Sequence, residues 1–326
     1  MATHSRTEDT DPGSSNGRAL VIGEALIDIV TSDQTVEHVG GSPLNVATGL
    51  ARLGRGVDFL TDIGDDAGGR RIAEHLAASG AHVIAKSDES SRTSTASATI
   101  GSDGAARYTF DIRWDISAEP PVGPPLVLHT GSIAAVREPG CRAVAALVES
   151  YRTSATISVD PNVRPSLLPE REPVAQRIEW LVERSDVVKV SDEDLHWLYP
   201  HHSPAQLARG WLAAGPALVV VSLGADGTVG FCRDGEVRIP AHPVTVVDTV
   251  GAGDSLMAGL LDALWSLDLL GADRRARLSQ IDRDALAECL HWGAAAAALT
   301  VSRAGADLPD KTTLAASHRR WNQRRS

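Results

Sequence analysis

One short segment, DTVGAGDS, places two carboxylates on either side of three small residues. Asp248 and Asp254 flank Gly251, Ala252 and Gly253, and an apolar run lies on each side of the segment. The first run predicts a strand and the second a helix, whose unpaired N–H groups would face an anion. The second carboxylate could accept a proton from a hydroxyl beside that anion. This chemistry suits phosphoryl transfer, although an ordinary helix start with an acidic first turn has the same pattern.

The composition of the chain limits its size class and its partners. It has 326 residues, 43% of them hydrophobic, and a formal charge of −11 at pH 7. This length allows one large domain, and the negative charge argues against nucleic acid or an anionic membrane as a partner. Three widely spaced cysteines, Cys141, Cys232 and Cys289, predict reduced thiols and a cytoplasmic location, without a disulfide framework or zinc spacing. Residues 1–17 predict a disordered leader, and 313–326 a basic tail.

Apolar, strand-like runs alternate with amphipathic helical segments along most of the chain. The predicted strands are 19–30, 57–64, 126–132, 155–162, 186–191 and 217–224. The predicted helices are 45–53, 67–79, 139–152, 173–184, 204–214, 254–270 and 284–302. This alternation predicts an α/β fold with a doubly wound, mostly parallel sheet flanked by helices. Residues 31–43 and 92–116 interrupt it and predict a small β-strand lid, with a hairpin turn at 102–104.

Polar residues follow several predicted strands, at the edge where parallel sheets bind ligands. Asp28 could accept hydrogen bonds from the hydroxyls of a polyol, and Asn45 could both donate and accept. Gly40 and Gly41 would let a ligand approach the backbone closely. Arg164 could donate two hydrogen bonds to substrate oxygens or to a phosphate. The alternatives are a buried structural carboxylate, a helix cap and a surface ion pair.

Two further segments could serve a nucleotide and its metal. KVSDED, at 189–194, ends in Asp194, which could orient a Mg²⁺-bound water or merely begin a solvated helix. SLGADGTVGF carries Gly224 and Gly227 between two apparent strands, and its backbone and Ser222 could face nucleotide phosphates. A plain β-turn is the alternative.

The pair of segments GGSPLNVATGLARLG and DTVGAGDS resembles the two signature segments of the ribokinase-like, phosphofructokinase B type family of carbohydrate kinases. Order and spacing match from about residue 19 to residue 309. Within the family, GEALIDIV, HTGS, DPNVRP, KVSDED and AAAALTVSRAGADLP most resemble bacterial fructokinases. The resemblance implies transfer of the γ-phosphoryl group of ATP to a sugar hydroxyl, with D-fructose expected as substrate and Mg²⁺ and K⁺ as cofactors. A 2-keto-3-deoxygluconate kinase, a ribokinase or another sugar kinase of the family is the alternative.

The resemblance also implies a role for each matching residue. The base is Asp254, and the anion hole consists of the amides of Gly251, Ala252 and Gly253. Sugar contacts are implied for Asp28, Gly40, Gly41, Asn45 and Arg164. Nucleotide contacts are implied or expected for Lys189, Ser191, Ser222, Gly224 and Gly227. Cation contacts are expected from Asp194 to Mg²⁺ through water, and to K⁺ from Asp248, the Val250 carbonyl and carbonyls at 302–305.

Two departures from the family bear on the metal and on the sugar. Many relatives carry Asn-x-x-Glu where this chain has Ser191 and Asp194, which keeps an acid near the metal but changes its reach. The lid reads FDIRWD where sugar-acid kinases place a tyrosine and an arginine close together. This disfavours a carboxylated substrate, although Arg113 and Arg164 remain available. A homodimer formed through the lid is a further expectation.

Two readings outside kinase chemistry remain open at this point. Residues 253–256 spell GDSL, a string found in serine esterases, in which Ser255 would be the nucleophile. Those enzymes carry the string near the N-terminus and an Asp-x-x-His late in the chain, whereas here no Asp-x-x-His follows it. The second reading is a non-catalytic protein that binds a sugar or a nucleotide on the same fold.

Overall fold

The computed structural model describes residues 17–31, 34–86, 92–100, 106–119, 121–168 and 170–323. The predicted leader therefore lies outside the described residues except for Gly17, and so does the predicted hairpin turn at 102–104. Within the described part of the chain, no helix is both long and apolar enough to cross a bilayer.

The described residues form strands and helices in alternation, as the apolar pattern predicts. The strands are β1 Arg18–Ile22, β2 Leu26–Thr31, β3 Thr35–Gly40, β4 Gly56–Asp62, β5 His82–Lys86, β6 Ser94–Ile100, β7 Ala106–Asp111, β8 Val127–Gly131, β9 Thr156–Asp160, β10 Val187–Ser191, β11 Leu218–Ser222, β12 Thr228–Cys232 and β13 Gly235–Ile239. The helices are α1 Ser42–Arg52, α2 Ala67–Ser79, α3 Ser132–Val136, α4 Gly140–Tyr151, α5 Arg171–Val182, α6 Asp192–Leu198, α7 Pro204–Ala214, α8 Ala252–Ser266, α9 Arg275–Leu278, α10 Arg283–Val301 and α11 Lys311–Gln323.

Nine strands form one large sheet in the order β13-β12-β11-β10-β9-β8-β1-β4-β5. It is parallel from β5 to β11, and β12 and β13 add to it in antiparallel fashion. Alternate residues of β1 join different cores: Ala19 and Val21 pack with α1 and α8, whereas Leu20 and Ile22 pack with α4. Both faces of the sheet are therefore covered, which confirms the predicted doubly wound fold.

A second, four-stranded sheet has the order β3-β2-β6-β7 and corresponds to the predicted lid. The prediction of one strand over 19–30 is wrong, since β1 ends at Ile22 and β2, which begins at Leu26, belongs to the lid. An apolar run shows that its residues are buried, but not that the chain changes sheets within it. Residues 42–43, also predicted in the lid, form the first turn of α1, where a proline is readily accommodated. The homodimer through this sheet stays a prediction.

Two other expectations differ from the structure. The VTVV run at 244–247 is not a strand, and Val246 and Val247 are 59% and 60% exposed. β-Branched residues favour strands only where a neighbouring strand pairs with them. Most of the predicted basic tail is helix α11, in which Leu314 is buried and Trp321 stacks on His242 at 4.0 Å between ring centroids.

The packing of α8 against α10 positions the DTVGAGDS segment, from which α8 begins. A Cβ added to Gly259 of α8 would lie 2.7 Å from the Cα of Gly293 in α10. A Cβ added to Gly293 would lie 2.8 Å from the Leu256 carbonyl oxygen. Both contacts are with backbone, which cannot rotate away as a side chain can. The two glycines therefore set how closely α8 approaches α10.

We expect Gly259→Ala to lower the free energy of unfolding by about 1–3 kcal/mol, because the added methyl must push the helices apart. The matched control is Gly210→Ala in α7, where a Cβ would meet no atom within 4 Å. That change should be neutral or stabilising by about 0.5–1 kcal/mol, since alanine favours a helix more than glycine. Urea denaturation measures both, and equal effects at the two positions would contradict the packing argument.

Candidate active site

Asp254 lies in the first turn of α8 and is only 5% exposed. The Ser42 hydroxyl donates to its Oδ1 at 2.6 Å, and the Asn45 amide nitrogen donates to its Oδ2 at 2.7 Å. Both donors belong to the first turn and a half of α1, so two segments that are far apart in the chain form one unit. Asn45 thus contacts the candidate base directly, and its contact to a sugar stays a prediction. Ser42 was missed because the Ser-Pro pair indicated only a turn.

The turn before α8 has the shape of an anion cradle. Gly251 has φ of +78°, a conformation that favours glycine, and it forms the N-cap of the helix. The N–H groups of Gly253 and Asp254 belong to the helix start, where no intrahelical acceptor is in reach. Of the predicted anion-hole amides of Gly251, Ala252 and Gly253, that of Ala252 donates to the Thr249 carbonyl over a long 3.3 Å.

A buried cation lies directly against this turn. A Cβ added to Gly253 would stand 2.7 Å from the Lys189 Nζ, so only glycine leaves room for the ammonium group. Lys189 Nζ donates to Asp160 Oδ2 at 2.9 Å, and both side chains are almost fully buried. The structure therefore joins the predicted nucleotide residue Lys189 to the candidate phosphate turn.

The charges of this cluster depend on one another. Burial alone would lower the pKa of Lys189, but Asp160, Asp194 and Asp254 raise it above its usual range. Burial raises the pKa of Asp160 to about 6, and the Lys189 ammonium offsets part of that rise. Lysine and aspartate are therefore both ionised at neutral pH. Asp160 Oδ1 is buried without a hydrogen-bond partner, which leaves an acceptor for a ligand.

Asp194 belongs to the same charged cluster, but its local bonds are structural. Its Oδ1 accepts the Val163 N–H at 2.9 Å, and its own N–H donates to the Ser191 hydroxyl at 3.0 Å. Ser191 is the N-cap of α6, which is the alternative that the sequence left open for this segment. A nucleotide contact from Ser191 stays a prediction.

The sugar half of the predicted site gathers around the lid. Asp28 lies within β2, rather than after a strand of the large sheet, and a Cβ on Gly40 would come within 2.0 Å of its Oδ2. Gly41 has φ of +121°, and a Cβ there would meet the Glu24 carbonyl oxygen at 2.4 Å. Burial raises the pKa of Asp28, while the nearby charges of His38 and Arg164 lower it. The lid strand therefore presents a desolvated carboxyl group beside two obligatory glycines.

The hydrogen bonds of Arg164 go to the neighbouring residues of its own loop. Its Nη1 donates to the Asn162 Oδ1 at 2.5 Å and to the Asn162 and Val163 carbonyls at 3.2 Å. Its positive charge lowers the pKa of both Asp28 and Glu24. Its side chain is exposed, and its contact to a sugar stays a prediction.

The glycine turn after β11 lies beside the start of α6, because Ser222 pairs in register with Ser191 at the end of β10. The predicted strand–turn–strand is present, with β11 and β12 antiparallel. A Cβ on Gly227 would lie 2.1 Å from the Ile239 carbonyl oxygen, whereas Gly224 has φ of +53° and open space around it. Packing against the end of β13 explains why residue 227 is a glycine, and nucleotide contacts from Ser222, Gly224 and Gly227 stay predictions.

Asp248 connects the two segments predicted to hold a monovalent cation. Its Oδ1 accepts the Val250 N–H at 3.0 Å, and its Oδ2 accepts the Gly305 N–H at 2.9 Å. These backbone hydrogen bonds lower the pKa of Asp248. An ionised carboxylate has about four lone-pair positions, so Asp248 keeps acceptor capacity beyond these backbone bonds.

The esterase reading finds no support in the structure. The Ser255 hydroxyl is 1% exposed and bonds the Thr300 hydroxyl at 2.7 Å. A serine nucleophile needs access to substrate and a neighbouring base, and this hydroxyl points into the α8–α10 contact. Ser255 therefore connects the phosphate turn to α10.

Comparisons with known proteins agree with this geometry. A fructokinase from Rhizobium leguminosarum bv. trifolii is 36% identical over 280 residues, which cover 82% of this chain and 85% of that protein. The structure of fructokinase with bound ATP from Xylella fastidiosa shares the fold, with a TM-score of 0.83 at 23% identity over 94% of this chain and 99% of that one. A fructokinase double mutant from Vibrio cholerae O395, in fructose, ADP and potassium ion bound form, has a TM-score of 0.78 at 25% identity over 93% and 98%.

The chain also matches the sequence model of a protein family, over the large sheet, the lid and the phosphate turn. The match spans residues 18–313 under the description pfkB family carbohydrate kinase. Asp254, the glycine turn beside Lys189 and the lid carboxyl group of Asp28 all fall inside that range. The chain belongs to the pfkB family of carbohydrate kinases.

Proposed function

We propose that this carbohydrate kinase transfers the γ-phosphoryl group of ATP to the 6-hydroxyl of D-fructose, giving fructose 6-phosphate and ADP. The main support for phosphoryl transfer is the buried carboxylate of Asp254, which accepts hydrogen bonds from Ser42 and Asn45 at the edge of the glycine turn. Fructose is supported by the 36% identity to the Rhizobium fructokinase, which covers 82% of this chain. The fructose- and ADP-bound Vibrio structure, at 25% identity, supports the same choice.

The proton and phosphoryl steps follow from the contacts of Asp254. One carboxylate oxygen of Asp254 accepts the proton of the sugar 6-hydroxyl. At the same time the 6-oxygen of the sugar forms a bond to the γ-phosphorus, and the bond from that phosphorus to the ADP oxygen breaks. The two hydrogen bonds from α1 keep the carboxylate in a fixed orientation. The helix-start N–H groups and the Lys189 ammonium stabilise the negative charge on the transferred group.

A divalent ion fits the acceptors beside this turn. Among the described residues, no group of three or more histidine, cysteine or acidic side chains is placed to hold a metal. Mg²⁺ is commonly bound by one or two carboxylates together with phosphates and waters. Asp160, with its unpartnered Oδ1, and Asp194 are the residues that would hold its waters. When bound, Mg²⁺ neutralises charge on the ATP phosphates.

A monovalent ion fits a separate place. Asp248 and the carbonyl of Val250, with the segment at 302–305, would hold K⁺ close behind the phosphate turn. The support is that the Asp248 carboxylate already joins both segments through their N–H groups. Such an ion would stabilise the loop from which α8 starts.

The lid supplies the exclusion of water that a reactive phosphoryl donor needs. Leu26 of β2 and Ile112, just after β7, form one apolar cluster with Ile133 of α3. The small sheet is thus anchored by apolar contact to the large sheet's ligand-binding edge, and Asp28 lies on its first strand.

A coupled assay of ADP release tests the choice of substrate. Across fructose, 2-keto-3-deoxygluconate, ribose, adenosine and fructose phosphates, fructose should give the highest kcat/KM. The reason is the combination of Asp28 with the glycine pair, which suits uncharged hydroxyls. Turnover of the sugar acid alone would make fructose the wrong substrate while leaving the kinase assignment in place.

Asp254→Asn should lower kcat by about 10²-fold or more, the usual contribution of a positioned base. The amide has nearly the same shape, so the contacts of α1 and the melting temperature should change little. Asp65→Asn is the matched control, since that side chain is 77% exposed and pairs only with Arg70 on the surface. The assignment of the base fails if Asp254→Asn keeps near-normal kcat with both substrates saturating.

Lys189→Met alone should destabilise the protein by about 3–5 kcal/mol, because it leaves the Asp160 charge buried and unpaired. The double variant Lys189→Met/Asp160→Asn removes both charges and should recover most of that stability. Its kcat should stay about 10²-fold low, since the charge beside the transferred group is still missing.

Lys311→Met, on the exposed start of α11, serves as the control for losing a lysine. Chemical denaturation gives the stabilities, and the ADP-release assay gives kcat. A double variant that regains both stability and kcat would show that Lys189 has only a structural role.

A further inference from the structure

Glu24 is a buried carboxyl group that the phosphoryl transfer does not use. It stands in the three-residue connection, 23–25, between β1 of the large sheet and β2 of the lid. Its exposure is 2%, although it is charged in its ordinary state and lies at a joint between two sheets. Few carboxyl groups are buried so completely without a partner or a function.

The carboxyl group is bonded to the turn that follows β8. Its Oε2 accepts the Ala134 N–H at 3.0 Å, and the Ser132 hydroxyl also hydrogen-bonds to it. Ser132 has φ of +53°, and its N–H donates to the Pro161 carbonyl at 3.1 Å, just after β9. The carboxyl group thus fastens the lid connection to the edge of the large sheet where Asp160 lies.

The backbone of the same residue touches the other end of the lid. The Glu24 carbonyl oxygen occupies the space that a Cβ on Gly41 would need, at 2.4 Å. Gly41 precedes α1, and its carbonyl accepts the Asn45 N–H at 2.9 Å. The strand that leaves the large sheet and the strand that returns from the lid therefore meet at Glu24.

One positive charge affects both Glu24 and the proposed sugar ligand Asp28. Burial raises the pKa of Glu24 to about 7, and the Ser132 hydrogen bond and the nearby charge of Arg164 offset part of that rise. The same arginine lowers the pKa of Asp28. The charge of Arg164 thus acts on two carboxyl groups, one at the joint and one on the lid strand that begins there.

We propose that Glu24 is a positioning residue for the sugar: its hydrogen bonds to the β8–α3 turn fix the first lid strand so that Asp28 and Arg164 meet the substrate hydroxyls together. Glu24 acts through Asp28 and has no contact with the transferred phosphoryl group. The proposal rests on fructose being the substrate, which turnover by the wild-type protein tests separately. Loss of the carboxyl group should therefore weaken sugar binding and leave nucleotide binding intact.

The test measures KM for fructose and for ATP, kcat, and the fructose Kd by calorimetry in Glu24 variants. Glu24→Ala should raise the fructose KM and Kd by about tenfold or more, the scale of a lost hydrogen bond to a charged group. The ATP KM should stay within about twofold, since no nucleotide contact changes. Glu24→Gln keeps an acceptor oxygen and should restore the fructose KM to within about threefold of wild type.

Glu37→Ala is the matched control, a lid carboxylate that is 49% exposed and paired with Arg71 on the outside. It should leave both KM values unchanged. If Glu24→Ala does not fold, Ser132→Gly decides, because glycine accepts the positive φ and removes only the hydroxyl donor. We expect a rise of about threefold in the fructose KM alone for that variant.

The proposal is overturned if the fructose and ATP KM values rise together, if Glu24→Gln behaves like Glu24→Ala, or if Ser132→Gly leaves the fructose KM unchanged. A wild-type protein that does not turn over fructose at all would instead contradict the proposed function. Measuring wild type first keeps the two failures apart.

Discussion

One buried cation makes the rest of the site possible. Asp160, Asp194 and Asp254 are all nearly buried, and each raises the pKa of the Lys189 ammonium among them. Three carboxylates in a poorly hydrated space repel one another and would repel a nucleotide even more strongly. The single ammonium, 2.9 Å from Asp160, offsets that repulsion and keeps the phosphate turn compatible with an anion.

The same cation explains the small residues of the turn. Gly253 is required because its missing side chain leaves room for the Lys189 Nζ, whereas Gly251 is required by its positive φ. The two glycines thus serve different purposes, one electrostatic and one conformational. The packing of Gly259 against Gly293 then holds α8 in place, so the distance between base and phosphate site depends on three separate glycine contacts.

The other half of the site depends on a joint between two sheets. The chain leaves the large sheet after Ile22, passes Glu24 and enters the lid at Leu26, and it returns through Gly40 and Gly41 into α1. Asp28, the proposed sugar ligand, and Asp254, the proposed base, are therefore connected through short elements. This joint is one of the connections between the lid and the large sheet, which is why we propose that its buried carboxyl group affects sugar binding.

Local patterns in the chain predicted its large-scale order well. The strand–helix alternation gave α2 and α7 with their bounds and the doubly wound sheet, because burial on both faces leaves continuous apolar runs in the strands. The glycine turn and its aspartate were recognisable for a similar reason, since helix starts and close backbone approach require particular residue types. Where two sheets share one apolar run, as at 19–30, the pattern failed because the residue types do not reveal a change of sheet.

The sequence by itself determined the fold class and the family, and it predicted Asp254 as the base and the glycine turn as the phosphate site, all from residue types close together in the chain. Only the tertiary structure decided which groups act on them. The contacts of Asp254 with Ser42, of Gly253 with Lys189 and of Glu24 with Ala134 join residues separated by 212, 64 and 110 positions. Such contacts leave no periodic or local signal, because they arise only when strand ends and helix starts converge at one edge of the sheet.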